Sequence, residues 1–125
     1  MGTVAVGERN KMLDALLSNT TYTLSAAVFV QLHTGDPGAA GTSLIAGETT
    51  RKEATFGAAA TGAATTTGAV QWVSVSTTET ITYVSFWTAS AAGTFLGSDD
   101  LPTSKAVTAG DTLTIPTGDI DFSVT

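Results

Sequence analysis

The chain has 125 residues, one domain's worth of core, and only 13 % of them are charged, about half the usual share of roughly 25 %. Its net charge is −6, and its five cations (Arg9, Lys11, Arg51, Lys52 and Lys105) never cluster beyond a pair, which argues against the basic footprint that nucleic acids require. The absence of cysteine removes disulfides, thiol nucleophiles and zinc–cysteine sites, and no apolar run reaches the roughly 18 residues of a membrane-spanning helix. The first twenty residues lack the basic and apolar regions of a signal peptide, so a soluble protein without membrane contact is expected. Threonine supplies 25 residues, alanine 19 and glycine 13. Threonine is β-branched and suits a solvated strand face, so the composition favours a mainly β domain.

Residues 1–7 are apolar and uncharged and are expected to form an extended arm. Residues 8–18 are expected to form a short helix whose Met12, Leu13, Leu16 and Leu17 make a narrow apolar stripe. Glu8 suits the helix dipole at the N-terminus, and Ser18-Asn19 ends the helix. A helix this short is marginal in water, so the stripe needs a partner, either the protein's own sheet or a neighbouring subunit. The β domain then runs over residues 26–125. Its first strand, residues 26–32, alternates Ala26, Val28, Val30 and Leu32 with Ala27, Phe29, Gln31 and His33. It stops at a Gly/Asp/Pro turn and a small-residue loop made of Thr34, Gly35, Asp36, Pro37, Gly38, Ala39, Ala40, Gly41 and Thr42. Proline fixes φ, glycine supplies positive φ and aspartate bonds back to the backbone, so the loop is expected to be rigid and to serve as a contact surface.

Residues 51–56 read as a short strand with Phe56 inward, and the low-complexity stretch GAAATGAATTTG (57–68) reads as a surface loop or an edge strand. Residues 69–75 form a strand, with Val70 and Trp72 on one face and Val73 and Val75 on the other. Residues 80–88, TITYVSFWT, carry large apolar groups on both faces and belong mid-sheet. A small-residue turn at 89–93 leads into a short strand at 94–97. Residues 98–102 (SDDLP) read as a turn and 105–107 as a brief strand. Two Gly-Asp turns, at 110–111 and 118–119, each launch an alternating strand near the end of the chain. Seven or eight short strands in this order suggest a single antiparallel β-sandwich or jelly-roll-like domain with an N-terminal helix.

Catalytic patterns are scarce. His33 is the lone histidine, no nucleophile-elbow sequence accompanies it, and a strand-end histidine bonded to a loop carbonyl is the expected environment. Asp99, Asp100, Asp111, Asp119 and Asp121 form no calcium-loop pattern and read as turn formers. No catalytic residue, metal ligand or cofactor is therefore assigned.

Five segments taken together resemble a family of small bacteriophage structural proteins, tail fibre-like or minor tail proteins common in phages of actinobacteria. They are residues 10–17 (NKMLDALL), 32–42 (LHTGDPGAAGT), 55–59 (TFGAA), 81–96 and 107–121 (VTAGDTLTIPTGDID). The resemblance implies a non-enzymatic virion part, assembled in the host cytoplasm, whose partners are copies of itself and a phage major capsid or tail protein. A fibre that reaches a host needs length from coiled coil or repeats, which this chain lacks. Decoration of a capsid is accordingly the leading reading and a tail-associated subunit the alternative. A module binding a host receptor or glycan, and a small hydrolase using His33, stand as readings from other classes.

Overall fold

The computed structural model describes residues 2–22 and 27–123; the expectations touching Met1, Ala26 and residues 124–125 lie outside that range. The fold is mainly β: among the described residues it has one helix, near the N-terminus, and nine strands. In chain order these are β1 (Gly2–Val4), α1 (Val6–Leu17), β2 (Val28–His33), β3 (Lys52–Ala54), β4 (Ala63–Thr65), β5 (Val70–Trp72), β6 (Glu79–Trp87), β7 (Phe95–Val107), β8 (Leu113–Ile115) and β9 (Asp121–Ser123). Seven strands form one sheet in the order β3-β2-β6-β7-β1-β9-β4, and β5 with β8 makes a separate ribbon. All pairs are antiparallel except β1 with β9.

The sheet curls until its ends meet. Beyond β3 and β4 the chain makes a further bridge, Phe56 with Thr66, flanked by the bonds Gly57 N–H to Thr65 O (3.0 Å) and Thr67 N–H to Thr55 O (2.9 Å). The alanine- and threonine-rich stretch thus contains an edge strand, turned tightly at Ala60–Ala63, and its small side chains permit close strand approach. Inside the curl, Phe86 meets the edges of Phe56 (5.9 Å) and Phe122 (4.7 Å). The ribbon contributes Val70, Trp72, Leu113 and Ile115 to the same core as Val30, Leu32, Val84 and Ile120. Trp72 donates its indole N–H to Thr50 O at 2.7 Å, so its burial leaves no donor unsatisfied.

β6 lies mid-sheet as its two apolar faces require, with Ile81, Val84 and Phe86 in the core. Two expectations change around it. Residues 98–102 are not a turn but the middle of β7, a 13-residue strand whose pairing with β6 shifts register between Tyr83–Asp100 and Ile81–Lys105. The SDDLP signature marks that irregularity, where Pro102 sits exposed. Strand β5 ends at Trp72, because Ser74 adopts φ 53°; this turns Val73 out to solvent while Val75 returns to the core. The last two strands are not partners: β8 pairs with β5, whereas β9 pairs with β1 and β4.

The expected arm is extended, and its residues 2–4 are built into the sheet between β7 and β9. Gly97 on β7 allows this close approach: a Cβ there would lie 2.5 Å from the Phe122 ring, on the side facing Thr3. Replacing Gly97 with Ala is expected to destabilise the fold by about 2–3 kcal/mol through overpacking. Gly110→Ala has only its backbone conformation (φ 95°) against it, with open space around the new methyl, and is expected to cost about 1 kcal/mol. Urea denaturation of both variants checks the difference.

Candidate functional site: the N-terminal helix and the 34–42 loop

Strand β1 delivers α1 directly, through the bond from Ala5 N–H to Leu96 O (2.7 Å). The helix begins at Val6, two residues earlier than expected, with no side-chain cap; Glu8 supplies the favourable charge in its first turn. Asn19, at φ 54°, stops it in the left-handed conformation. The face that meets the sheet is not the leucine stripe. Glu8 is the buried residue of the helix, and Met12 and Ala15 are half-buried beside it. Lys11 Nζ donates to Glu8 Oε1 (2.8 Å) and Tyr22 Oη to Oε2 (2.5 Å). Burial alone would raise the Glu8 pKa, but the bonds from Lys11 and Tyr22 and the lysine charge outweigh it and hold the group below its usual value. Burial, together with Glu8, pushes the Tyr22 phenol up to about 12. A partly open cleft of about 490 Å³ separates helix and sheet, lined by Glu8 and Met12 on one side and Val4, Val28, Leu96 and Phe122 on the other.

Leu13, Leu16 and Leu17 point outward, at 52 %, 78 % and 75 % exposure, with Val6 at 59 %. The four apolar residues of the expected stripe are therefore split: Met12 turns to the sheet and the three leucines to solvent. The stripe does not dock the helix on its own sheet: the opposite face is the covered one, with Glu8 bonded to Lys11 within the helix and to Tyr22 in the segment after it.

The loop is internally braced. Gly38 N–H bonds the Asp36 carboxylate (2.9 Å), and Gly41 N–H reaches Gly38 O (3.2 Å). Ser43 N–H reaches Pro37 O and Thr34 N–H reaches Leu44 O, both at 2.9 Å. Gly38 and Gly41 take φ of 77° and 72°, and a Cβ on Gly41 would strike the Phe95 ring at 2.6 Å. Pro37 and Gly41 are buried, Gly35 is half-buried, and Thr34, Asp36, Gly38, Ala39, Ala40 and Thr42 face solvent. Loop and helix share a second cleft of about 340 Å³, where Val6 and Arg9 look across to Asp36, Gly38 and Ala39 above Phe95. Two further exposed apolar residues, Leu44 and Ile45, directly follow the loop. Leu44 adopts φ 50°, a conformation that no periodic motif signals.

His33 is fully buried at the root of this loop. Its Nδ1 lies 2.9 Å from Ser43 O, and its Nε2 lies 2.7 Å from Ser85 Oγ. A carbonyl only accepts, so Nδ1 carries the proton and Nε2 accepts from the Ser85 hydroxyl; Ser85 Oγ in turn accepts the Trp87 indole N–H at 2.8 Å. Burial, and secondarily the Arg51 charge, hold the imidazole below its usual pKa against the upward pull of the loop carbonyls. The serine–histidine contact resembles a nucleophile–base pair in distance alone. Both side chains are sealed from solvent, and the group on Nδ1 is a backbone carbonyl. The aspartates considered as a calcium set have other partners: Asp119 pairs with Lys105 (3.5 Å), Asp111 bonds Thr108 N–H (2.9 Å) and Asp99 accepts Asp121 N–H (3.1 Å). Both indoles are buried, so neither offers a stacking face.

Residues 5–123 match the family model described as "Podophage GP4 fiber I protein gp80". The chain belongs to this family. No curated protein matches it. Membership in a fibre-protein family favours the tail-associated reading over capsid decoration, for which the match offers no support. A fibre assembled from parts does not require one subunit to span it, so the length of the chain does not argue against a fibre role.

His33 and Asp99 make stability depend on pH with opposite signs. Folded His33 resists protonation, so its contribution is complete above about pH 6.5 and is lost as pH falls from there toward its depressed folded value. Burial pushes Asp99 up to about 6 from 3.8, so the fold holds a proton the unfolded chain has released, and stability falls as pH rises through that window. The rise corresponds to about 3 kcal/mol. Asp99→Asn is expected to raise the urea midpoint at pH 7 and leave it nearly unchanged at pH 4. Between pH 7 and pH 5 the variant is expected to lose more stability than the wild type, because the offsetting gain from Asp99 is gone.

Proposed function

We infer that the chain is a non-enzymatic, tail-associated fibre subunit of a podophage virion that works by packing against other subunits. The match over residues 5–123 carries this reading. Two features of the molecule support it: a helix whose leucines are left in solvent, and a braced loop beside it that loses little entropy on contact. The sealed His33–Ser85 pair supports a structural role, since a substrate has no route to it.

Gold-labelled antibodies against the purified chain are expected to decorate the tail region of intact virions. Labelling spread over the capsid, or virions of unchanged tail morphology after deletion of the gene, would overturn the reading.

A further inference from the structure

The outward residues of α1 are ordered in a way that a random exposed patch is not. At about 100° per residue, Val6, Asn10, Leu13 and Leu17 fall within about 60° of one another on the helical wheel. Their spacing, i, i+4, i+7, i+11, is that of alternating d and a positions in a heptad, with Asn10 and Leu17 at a and Val6 and Leu13 at d. Glu8 and Ala15 then occupy f, directly opposite, and these residues are buried and half-buried. One side of the helix is thus covered while the other presents a seam.

The flanks of the seam indicate its orientation. Arg9 falls at g and Asp14 at the following e, five residues on. Between parallel helices a g residue meets the e residue five positions further along its partner, so Arg9 of each copy faces Asp14 of the next. Antiparallel helices would instead bring g to g and e to e, setting Arg9 against Leu16 and Asp14 against Gly7, with no opposite charges meeting. A single asparagine at a is also a device that fixes register, because the amide finds its partner when it meets its own copy.

We propose that α1 forms the parallel, self-complementary contact of a homo-oligomer, with the Val6/Asn10/Leu13/Leu17 seam at its axis and Arg9–Asp14 pairs along its sides. The helix has only 12 residues, too few for an isolated coiled coil. Here it is already folded, braced by the bonds of Glu8 with Lys11 and Tyr22 and started from β1 by Ala5 N–H to Leu96 O, so association orders little that is not ordered beforehand. The proposal names the partner that the fibre-subunit reading leaves open, yet it does not depend on where in the virion the protein sits.

The chain contains no cysteine, which makes cross-linking a clean test. Asn10→Cys is expected to form an intermolecular disulfide in high yield, because residues at a meet their own copies only in parallel packing. An equimolar mixture of Asn10→Cys and Leu13→Cys chains giving mainly the mixed cross-link would overturn the orientation. In sedimentation velocity the wild type is expected to be oligomeric at tens of micromolar. Leu13→Glu with Leu17→Glu is expected to weaken association about a hundredfold, with circular dichroism reporting an unchanged sheet. Arg9→Asp or Asp14→Arg alone is expected to weaken association, and the two together to restore it. A wild-type monomer, or an oligomer insensitive to the leucine changes, would overturn the proposal. A monomer whose antibodies still label tails would do so while leaving the fibre-subunit reading intact. An α1-dependent oligomer absent from virions would do the reverse.

Discussion

The architecture depends on the closure of one sheet onto itself. A seven-stranded sheet has two edges, each a row of unpaired amides and carbonyls; here the chain beyond β3 and β4 joins them at Phe56 and Thr66. Phe56 is also the first ring of the aromatic row that continues through Phe86 to Phe122. Closure is therefore coupled to core packing, since the residue that bridges the edges also fills the interior. Edge-to-face pairs contribute about 0.5–1.5 kcal/mol each beyond the area they bury. Phe122 in turn presses on Gly97 from β9, where β1 enters the sheet.

The position of the helix follows from that entry. Because β1 is locked between β7 and β9, and Ala5 is tied to Leu96, α1 starts at a fixed point and crosses the cleft above Val4, Leu96 and Phe122. An apolar helix face would have filled that cleft. The sequence instead places Glu8 there, held by Lys11 and Tyr22. Its partners lie in the helix itself and in the segment that follows it, a charge-assisted hydrogen-bond set that leaves the leucines exposed.

The elements that were legible in the sequence are those whose local pattern and tertiary setting agree. β6 has two apolar faces and is covered on both; the 34–42 loop has turn chemistry and is a braced turn; α1 has helical spacing and is a helix. Where the two disagree, local reading fails. SDDLP carries every sign of a turn, yet Asp99 is buried and accepts Asp121 N–H from β9, so long-range pairing keeps the segment in β7, with a register shift against β6. The leucine stripe gave the helix but not the side it buries. Periodicity reports which residues share a face, and an apolar face fits a neighbouring copy as well as the protein's own core. The His33–Ser85–Trp87 chain was unreadable for a simpler reason: its members are brought together by the β2–β6 register, and nothing local encodes that.

Charge distribution bears on the same surface. Copies carrying −6 each repel on approach, and this opposes assembly through most faces of the molecule. The helix is the exception. It holds two of the five cations, Arg9 and Lys11, against two acids, Glu8 and Asp14, so it is neutral while the rest of the chain carries the whole excess. Glu8 is turned inward and already bonded to Lys11, and Asp14 stands on the flank of the seam opposite Arg9. A contact made along α1 brings together the least acidic parts of two acidic molecules. At physiological salt, charges farther apart than a Debye length of about 8 Å are largely screened from one another. The segment that exposes leucine is thus also the segment whose own charges cancel, so a contact along it adds the least like-charge repulsion.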